Sequence, residues 1–168
     1  MLALSLILAG ILMRFAPHAP NFTPVAAIAL FSGAYLNKKY AFIVPLVLMI
    51  ASDLVIGLHD VVLFTWGSFI LVTLFGTAIR RKKGAGRIIS LSLLSSLVFY
   101  LVTNFGVWLV GWYSKDLKGL ADSYIMGLPF LRNFTIATLS YAAVLFGIYE
   151  IIAHYVKDTR LARVLLTR

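Results

Sequence analysis

Six stretches dominated by apolar side chains alternate with short polar punctuation, and each predicts a helix. They cover residues 2–13, 25–36, 41–57, 61–79, 88–112 and 134–156. A helix that crosses a bilayer needs roughly 20 apolar residues, so the first two runs are short and the last four approach or exceed that length. Arg14 ends the first run. Pro17, Pro20 and Pro24 follow, around His18, Asn21 and Thr23. Proline fixes φ and offers no N–H donor, so this connector reads as stiff and non-helical. Asn37-Lys38-Lys39 ends the second run, and the third contains Pro45 and Asp53. Residues 124–131 form a short apolar piece broken by Gly127 and Pro129, which predicts a long loop over 113–133. The first run has two other readings. It is short enough for the apolar core of a signal peptide, although no Lys or Arg precedes it. It could also pair with the second run as a re-entrant hairpin, which leaves the parity of the later spans unchanged. Long linkers, internal repeats and low-complexity segments are absent from the sequence, so the chain reads as one integral membrane domain over 1–168.

Composition agrees with the pattern. Hydrophobic residues make up 61% of the 168 and charged residues 12%, against about 45–50% and about 25% for soluble domains. A soluble chain of this length has too little interior to hide so much apolar surface, so lipid must cover some of it. The chain has no cysteine, which excludes thiol catalysis, thiolate metal sites and disulfides.

Charge then assigns a direction. The net charge is +9, and eleven of the fifteen Lys and Arg fall in three clusters at alternate gaps between the apolar runs. These are Lys38-Lys39, then Arg80-Arg81-Lys82-Lys83 with Arg87, then Lys157, Arg160, Arg163 and Arg168. Cytoplasmic loops retain Lys and Arg, so the expected architecture is an all-α, six-span helical bundle in the cell (inner) membrane with both termini in the cytoplasm. Orientation and anionic headgroups account for the basic residues, and no nucleic-acid partner is expected. Tyr35, Tyr40 and Tyr155 fall near the inner interface on this reading, and Trp66, Trp108, Trp112 and Tyr113 near the outer one, as interfacial aromatic belts do.

Polar groups within a membrane are expensive and usually line a cavity or pair with one another. On this orientation most of them fall on the outer side. Asp53 lies one turn inside the end of its run, Arg14 closes the first run, and Arg132-Asn133 opens the sixth. Asn104, Trp108 and Trp112, at four-residue spacing, share one face of a continuous helix. With His18, Asn21, His59 and Asp60 these residues converge on an outward-facing pocket with aromatic walls and a few fixed polar groups, the usual form of a small-molecule site. Each has a blander reading. Asp53 could only tie spans together through Arg14 or Arg132, the Asn104/Trp108/Trp112 stripe could only anchor the interface, and the histidines could be solvated loop residues. Glu150 and His154, at i and i+4, read as a helix-end pair. Small residues at four-residue spacing (Ala29/Gly33, Ser92/Ser96, Ala143/Gly147) let membrane helices approach closely, within the bundle or against a partner subunit. The sequence has no nucleophile–base pair, Gly-rich phosphate loop or zinc-ligand spacing, so neither enzymatic activity, a metal nor a cofactor is expected.

The stretch Pro20-Asn21-Phe22-Thr23-Pro24-Val25-Ala26-Ala27-Ile28-Ala29-Leu30-Phe31-Ser32-Gly33-Ala34-Tyr35 resembles the signature of a family of small prokaryotic six-span membrane transport proteins of uncharacterised substrate. Ser52 to Gly57, Thr103 to Trp108, Gly119-Leu120 with Tyr124, and Leu128-Pro129-Phe130 extend that resemblance from about Arg14 to Gly147. In size, span number and termini the chain also resembles the substrate-binding S components of energy-coupling factor (ECF) transporters. That resemblance implies a vitamin-like micronutrient bound from outside at Arg14, Asn21, Asp53, Asn104, Trp108, Trp112, Tyr124, Arg132 and Asn133. It also implies docking through Ala29 and Gly33 on a shared energy-coupling transmembrane subunit driven by ATPases. S components that handle nickel or cobalt carry histidine after the initiator methionine. Leu2 stands there in this chain, which argues against a metal-ion substrate. A cysteine-ligated cobalamin is not matched either, while cobalamin without such a ligand stays open. The expectation is therefore a solute-binding transport subunit. The alternative is a non-catalytic membrane scaffold or assembly factor whose polar residues only pair with one another.

Overall fold

Every apolar run folds as a helix, and the polar punctuation sets the ends. The computed structural model describes residues 2–157, which form α1 (Leu2–Phe15), α2 (Val25–Tyr35), α3 (Lys38–Ile56), α4 (Val62–Arg81), α5 (Ala85–Leu109) and α6 (Leu117–Val156). The described chain is all-helical, and α3, α4, α5 and α6 are long and apolar enough to cross a membrane. Of the basic tail, Lys157 is described, and Arg160, Arg163 and Arg168 lie outside the described residues.

Local chemistry explains the boundaries. Residues 16–24 carry no helix, as their prolines require, and Asn21 adopts φ 60, a left-handed conformation that asparagine tolerates better than most residues. Asn37 opens α3 by accepting from the Tyr40 N–H at 3.2 Å, the usual N-cap arrangement. Gly57, at φ 117, ends α3, and its N–H donates to the Asp53 carbonyl at 2.8 Å. Asp116 opens α6 by accepting from the Gly119 N–H at 2.7 Å. That bond and one from the Ser114 hydroxyl hold the Asp116 carboxyl below the usual carboxylate range.

Two expected boundaries are corrected. The loop expected over 113–133 is only 110–116, because 117–156 forms one helix of 40 residues with Gly127 and Pro129 inside it. Proline removes one N–H from the ladder, but apolar helices keep it when neighbouring helices cover the break. At 1.5 Å per residue α6 is about 60 Å long, some twice the thickness of a bilayer's apolar core. The fifth run stops at Leu109, three residues before Trp112, where Gly111 turns the chain at φ 96.

Packing centres on α2. All eleven of its residues are buried, with α3, α4 and α6 around it. Its crossing with α4 is close enough that backbones touch: a Cβ on Gly33 would lie 2.3 Å from the Thr73 carbonyl oxygen. A Cβ on Gly76 would lie 2.3 Å from that of Leu30. Ala29 and Gly33 are thus covered inside the chain, which corrects the expectation that they present a docking surface to a partner. Ser92 and Ser96 are buried as well, whereas Ala143 and Gly147 are exposed on α6. The outer face of α1 is a stripe of Leu4, Leu8 and Leu12, each more than half exposed.

Candidate functional site

The α3–α4 hairpin builds the first part of the site. Asp53 lies three residues before the end of α3 and Trp66 four residues after the start of α4, so they meet at nearly one depth. The Trp66 Nε1–H donates to Asp53 Oδ2 at 2.8 Å. Arg14, in the last turn of α1, donates from Nη2 to Asp53 Oδ1 at 2.6 Å. Asp53 is 1% exposed and Arg14 16%. A carboxylate that deep costs several kcal/mol to desolvate and persists because both oxygens are engaged. Arg14 is less well served. Its Nη1 donates to the Met49 sulfur at 2.7 Å, and its buried Nε has no hydrogen-bond partner among the described residues.

Beyond this pair opens a cavity of about 570 Å³, within the roughly 300–1,000 Å³ of small-molecule sites. Its apolar wall includes Phe69, Phe99 and Phe134. Phe99 and Phe134 stack with centroids 4.1 Å apart and planes 10° from parallel, and Phe69 leans on Phe99 at 5.3 Å. Arg14, Asn21 and Asn104 supply polar groups, with His18 and His59 among the other lining residues. Asn104 is held by its Nδ2, which donates to the Tyr100 carbonyl at 2.8 Å. Gly127 of α6 faces it so closely that a Cβ there would lie 2.4 Å from Asn104 Oδ1. The glycine that reads as a helix breaker in the sequence is what lets α6 close on α5 beside the cavity.

Of the residues expected at the pocket, Arg14, His18, Asn21, His59, Asn104 and Trp112 line it, and Asp53 pairs with Arg14. Asp60, Trp108, Tyr124, Arg132 and Asn133 do not line it. Trp108 serves the 110–116 turn: its Nε1–H donates to the Ser114 carbonyl at 3.0 Å, and Lys115 Nζ lies 5.4 Å from its ring centroid. Because α5 ends at Leu109, Trp112 leaves the helical stripe and donates to Asp60 Oδ2 at 3.0 Å. Tyr124 sits on the α5–α6 contact, donating to the Leu101 carbonyl at 3.0 Å, with its ring edge-on to Tyr100. Arg132 is exposed. Asn133 donates from Nδ2 to the Pro20 carbonyl at 3.1 Å and ties α6 to the 16–24 connector. Sequence reasoning missed the role of Trp66, whose near-symmetric placement with Asp53 about the 57–61 turn was the available signal. It also missed the phenylalanine wall, whose residues look like any other apolar helix positions.

The opposite end is organised differently. Arg80 Nη2 donates to the Gly33 carbonyl at 2.7 Å and to that of Leu36, capping α2. The Tyr35 hydroxyl donates to Glu150, and Lys83 Nζ lies 3.4 Å from Glu150 and 4.4 Å from the Tyr35 ring centroid. Glu150 therefore reaches across to α2 and the α4–α5 turn. His154, its expected partner, packs edge-on to Tyr155 instead. Lys83 and Glu150 are about half exposed, so their ion pair contributes at most about 1 kcal/mol.

A family model described as "Family of unknown function (DUF6580)" matches residues 1–161. No curated protein and no solved structure matches.

Proposed function

The chain belongs to DUF6580, a family of unknown function, and from that premise we propose that it is an integral membrane solute-binding subunit of a transport system. On this reading it crosses the cell membrane six times with both termini in the cytoplasm. It takes up a vitamin-like micronutrient through the cavity at the Arg14 end, which opens outward. It is similar in this to the S components of ECF transporters, and energy would come from a separate transmembrane subunit with ATPases. The observation that carries the proposal is the cavity itself: about 570 Å³, walled by phenylalanines and set with Arg14, Asn21 and Asn104.

Charge supports the orientation. Lys38, Lys39, Arg80–Lys83 and Arg87 belong to the Tyr35 end, and the cavity is at the other. The short helices fit as well. At about 1.5 Å per residue α2 spans only about 16 Å, but it is buried on all sides and meets no lipid. The Leu4/Leu8/Leu12 stripe gives α1 a lipid-facing side. With Ala29 and Gly33 covered, the open pair Ala143/Gly147 is the small-residue surface left for an energy-coupling partner. The scaffold reading draws on the pairing of Asp53 with both Arg14 and Trp66, and it leaves the cavity beyond them unexplained.

Mass spectrometry of the natively purified protein tests the reading directly and should find one class of small molecule. Added back, that molecule should raise the melting temperature, and Asn104→Ala should remove the shift without unfolding the protein. No bound molecule, and no shift from a panel of vitamins and precursors, would favour the scaffold. Reporter fusions after residues 59, 84 and 168 test the topology: only the first should report outside. An outside signal at 84 would place the cavity on the cytoplasmic face.

A further inference from the structure

We infer that the solute is a carboxylate with an apolar or aromatic body, and that the Arg14 guanidinium receives its charge; this rests on the binding reading above. A guanidinium has five N–H donors in a planar fork, best satisfied by oxygen acceptors taken in pairs. Here Asp53 gives Arg14 a single oxygen, at Nη2. Its other oxygen is held by Trp66 at 2.8 Å, so Asp53 does not close around Arg14 as a two-oxygen clamp. Nη1 meets only the Met49 thioether, a weak acceptor, and Nε has no partner among the described residues. The cation is thus anchored but under-satisfied, and it lines the cavity.

The rest of the lining points the same way. Among the described residues no Asp or Glu lines the cavity, and its other ionisable groups include His18 and His59. The nearby carboxylate Asp60 is exposed and accepts from Trp112 at 3.0 Å. A cationic solute would find no counter-charge at the wall, while a carboxylate would find Arg14. The phenylalanines opposite would cover an apolar or ring-bearing body. Asp53 already balances Arg14, so a single carboxylate leaves one net negative charge at the site, whereas a doubly charged phosphate would leave two, at a greater desolvation cost.

The experiment is thermal unfolding and binding of the purified full chain with matched acids and neutral counterparts: nicotinate with nicotinamide, pantothenate with pantothenol, biotin with its methyl ester. Thiamine serves as the cation. At least one acid should bind roughly tenfold or more tightly than its neutral counterpart, the scale of a hydrogen-bonded charge contact. The double variant Arg14→Gln/Asp53→Asn removes both charges together, so neither is left unpaired. It should stay folded and bind acid and neutral forms within about twofold. A neutral form or thiamine that binds as well as the best acid overturns the inference and leaves the pocket reading intact, as does an acid preference that survives in the double variant. If nothing in the panel binds, the molecule carried by the native protein decides. A carboxylate supports the inference, a neutral or cationic molecule overturns it, and no molecule at all removes the pocket reading with it.

Discussion

Gly76→Leu should leave little folded protein after detergent extraction, measured as loss of the monodisperse peak in size-exclusion chromatography and of a cooperative melting transition. At this position a Cβ would meet the Leu30 carbonyl oxygen at 2.3 Å, the Leu30 carbonyl carbon at 2.9 Å and Gly33 Cα at 3.0 Å. All three are backbone atoms of a helix buried on every side, so none can move aside without displacing α2. Overpacking a core costs about 1–3 kcal/mol where side chains can yield, and here the obstacle is the main chain, so a cost of about 3 kcal/mol or more follows. Gly33→Leu should behave alike from the opposite side, where Thr73 O and Gly76 Cα stand. Gly67→Ala, in the same helix but with nothing within 4 Å of a Cβ, should melt close to the unsubstituted protein. A Gly76→Leu protein of ordinary stability would refute the close α2–α4 crossing.

The second large effect concerns the buried ion pair. Asp53→Ala leaves the Arg14 guanidinium mostly buried with no counter-ion, and strands the Trp66 N–H. Breaking one partner of a buried pair costs about 3–5 kcal/mol. The cavity beside Arg14 admits some solvent, so the lower end, about 3 kcal/mol, is expected. Removing both charges in Arg14→Gln/Asp53→Asn should cost much less, within about 1 kcal/mol, because no charge is left alone. A double-mutant cycle of Arg14→Gln, Asp53→Asn and the double variant, followed by urea unfolding in micelles, isolates the interaction. A loss in the double variant equal to the sum of the losses in the two single variants would mean that Arg14 and Asp53 do not interact, and would refute the pair.

The limits of reading this chain from its sequence lie in particular residues. The prolines at 17, 20 and 24 placed a non-helical connector, and residues 16–24 form one. Pro129 was read by the same rule and the rule failed, because a helix packed along α5 keeps its course despite one missing hydrogen bond. The same failure moved Tyr124, Arg132 and Asn133 from a supposed loop onto α6. Asp53 was recognisable as a polar group too costly to leave alone. That its partners are Arg14 and Trp66 rather than Arg132 was not, since the rotation of each helix about its axis decides which side chains meet. Ala29 and Gly33 were recognisable as a close-packing surface, but not as one that α4 already covers.

The sequence alone determined that this is an apolar, all-helical chain, with six helices among its described residues and basic clusters that alternate along it. Those features follow from the lengths of apolar runs and from where charge interrupts them, both local properties. Only the tertiary structure decided that α2 is the buried centre, that Arg14, Asp53 and Trp66 form one network, and that three phenylalanines from α4, α5 and α6 wall a cavity. The physical reason is that an apolar side chain suits lipid and protein interior equally well, so hydropathy does not distinguish an outward face from an inward one. That distinction appears only where backbones touch at glycine or where polar atoms find partners across helices, and both depend on how the helices are packed.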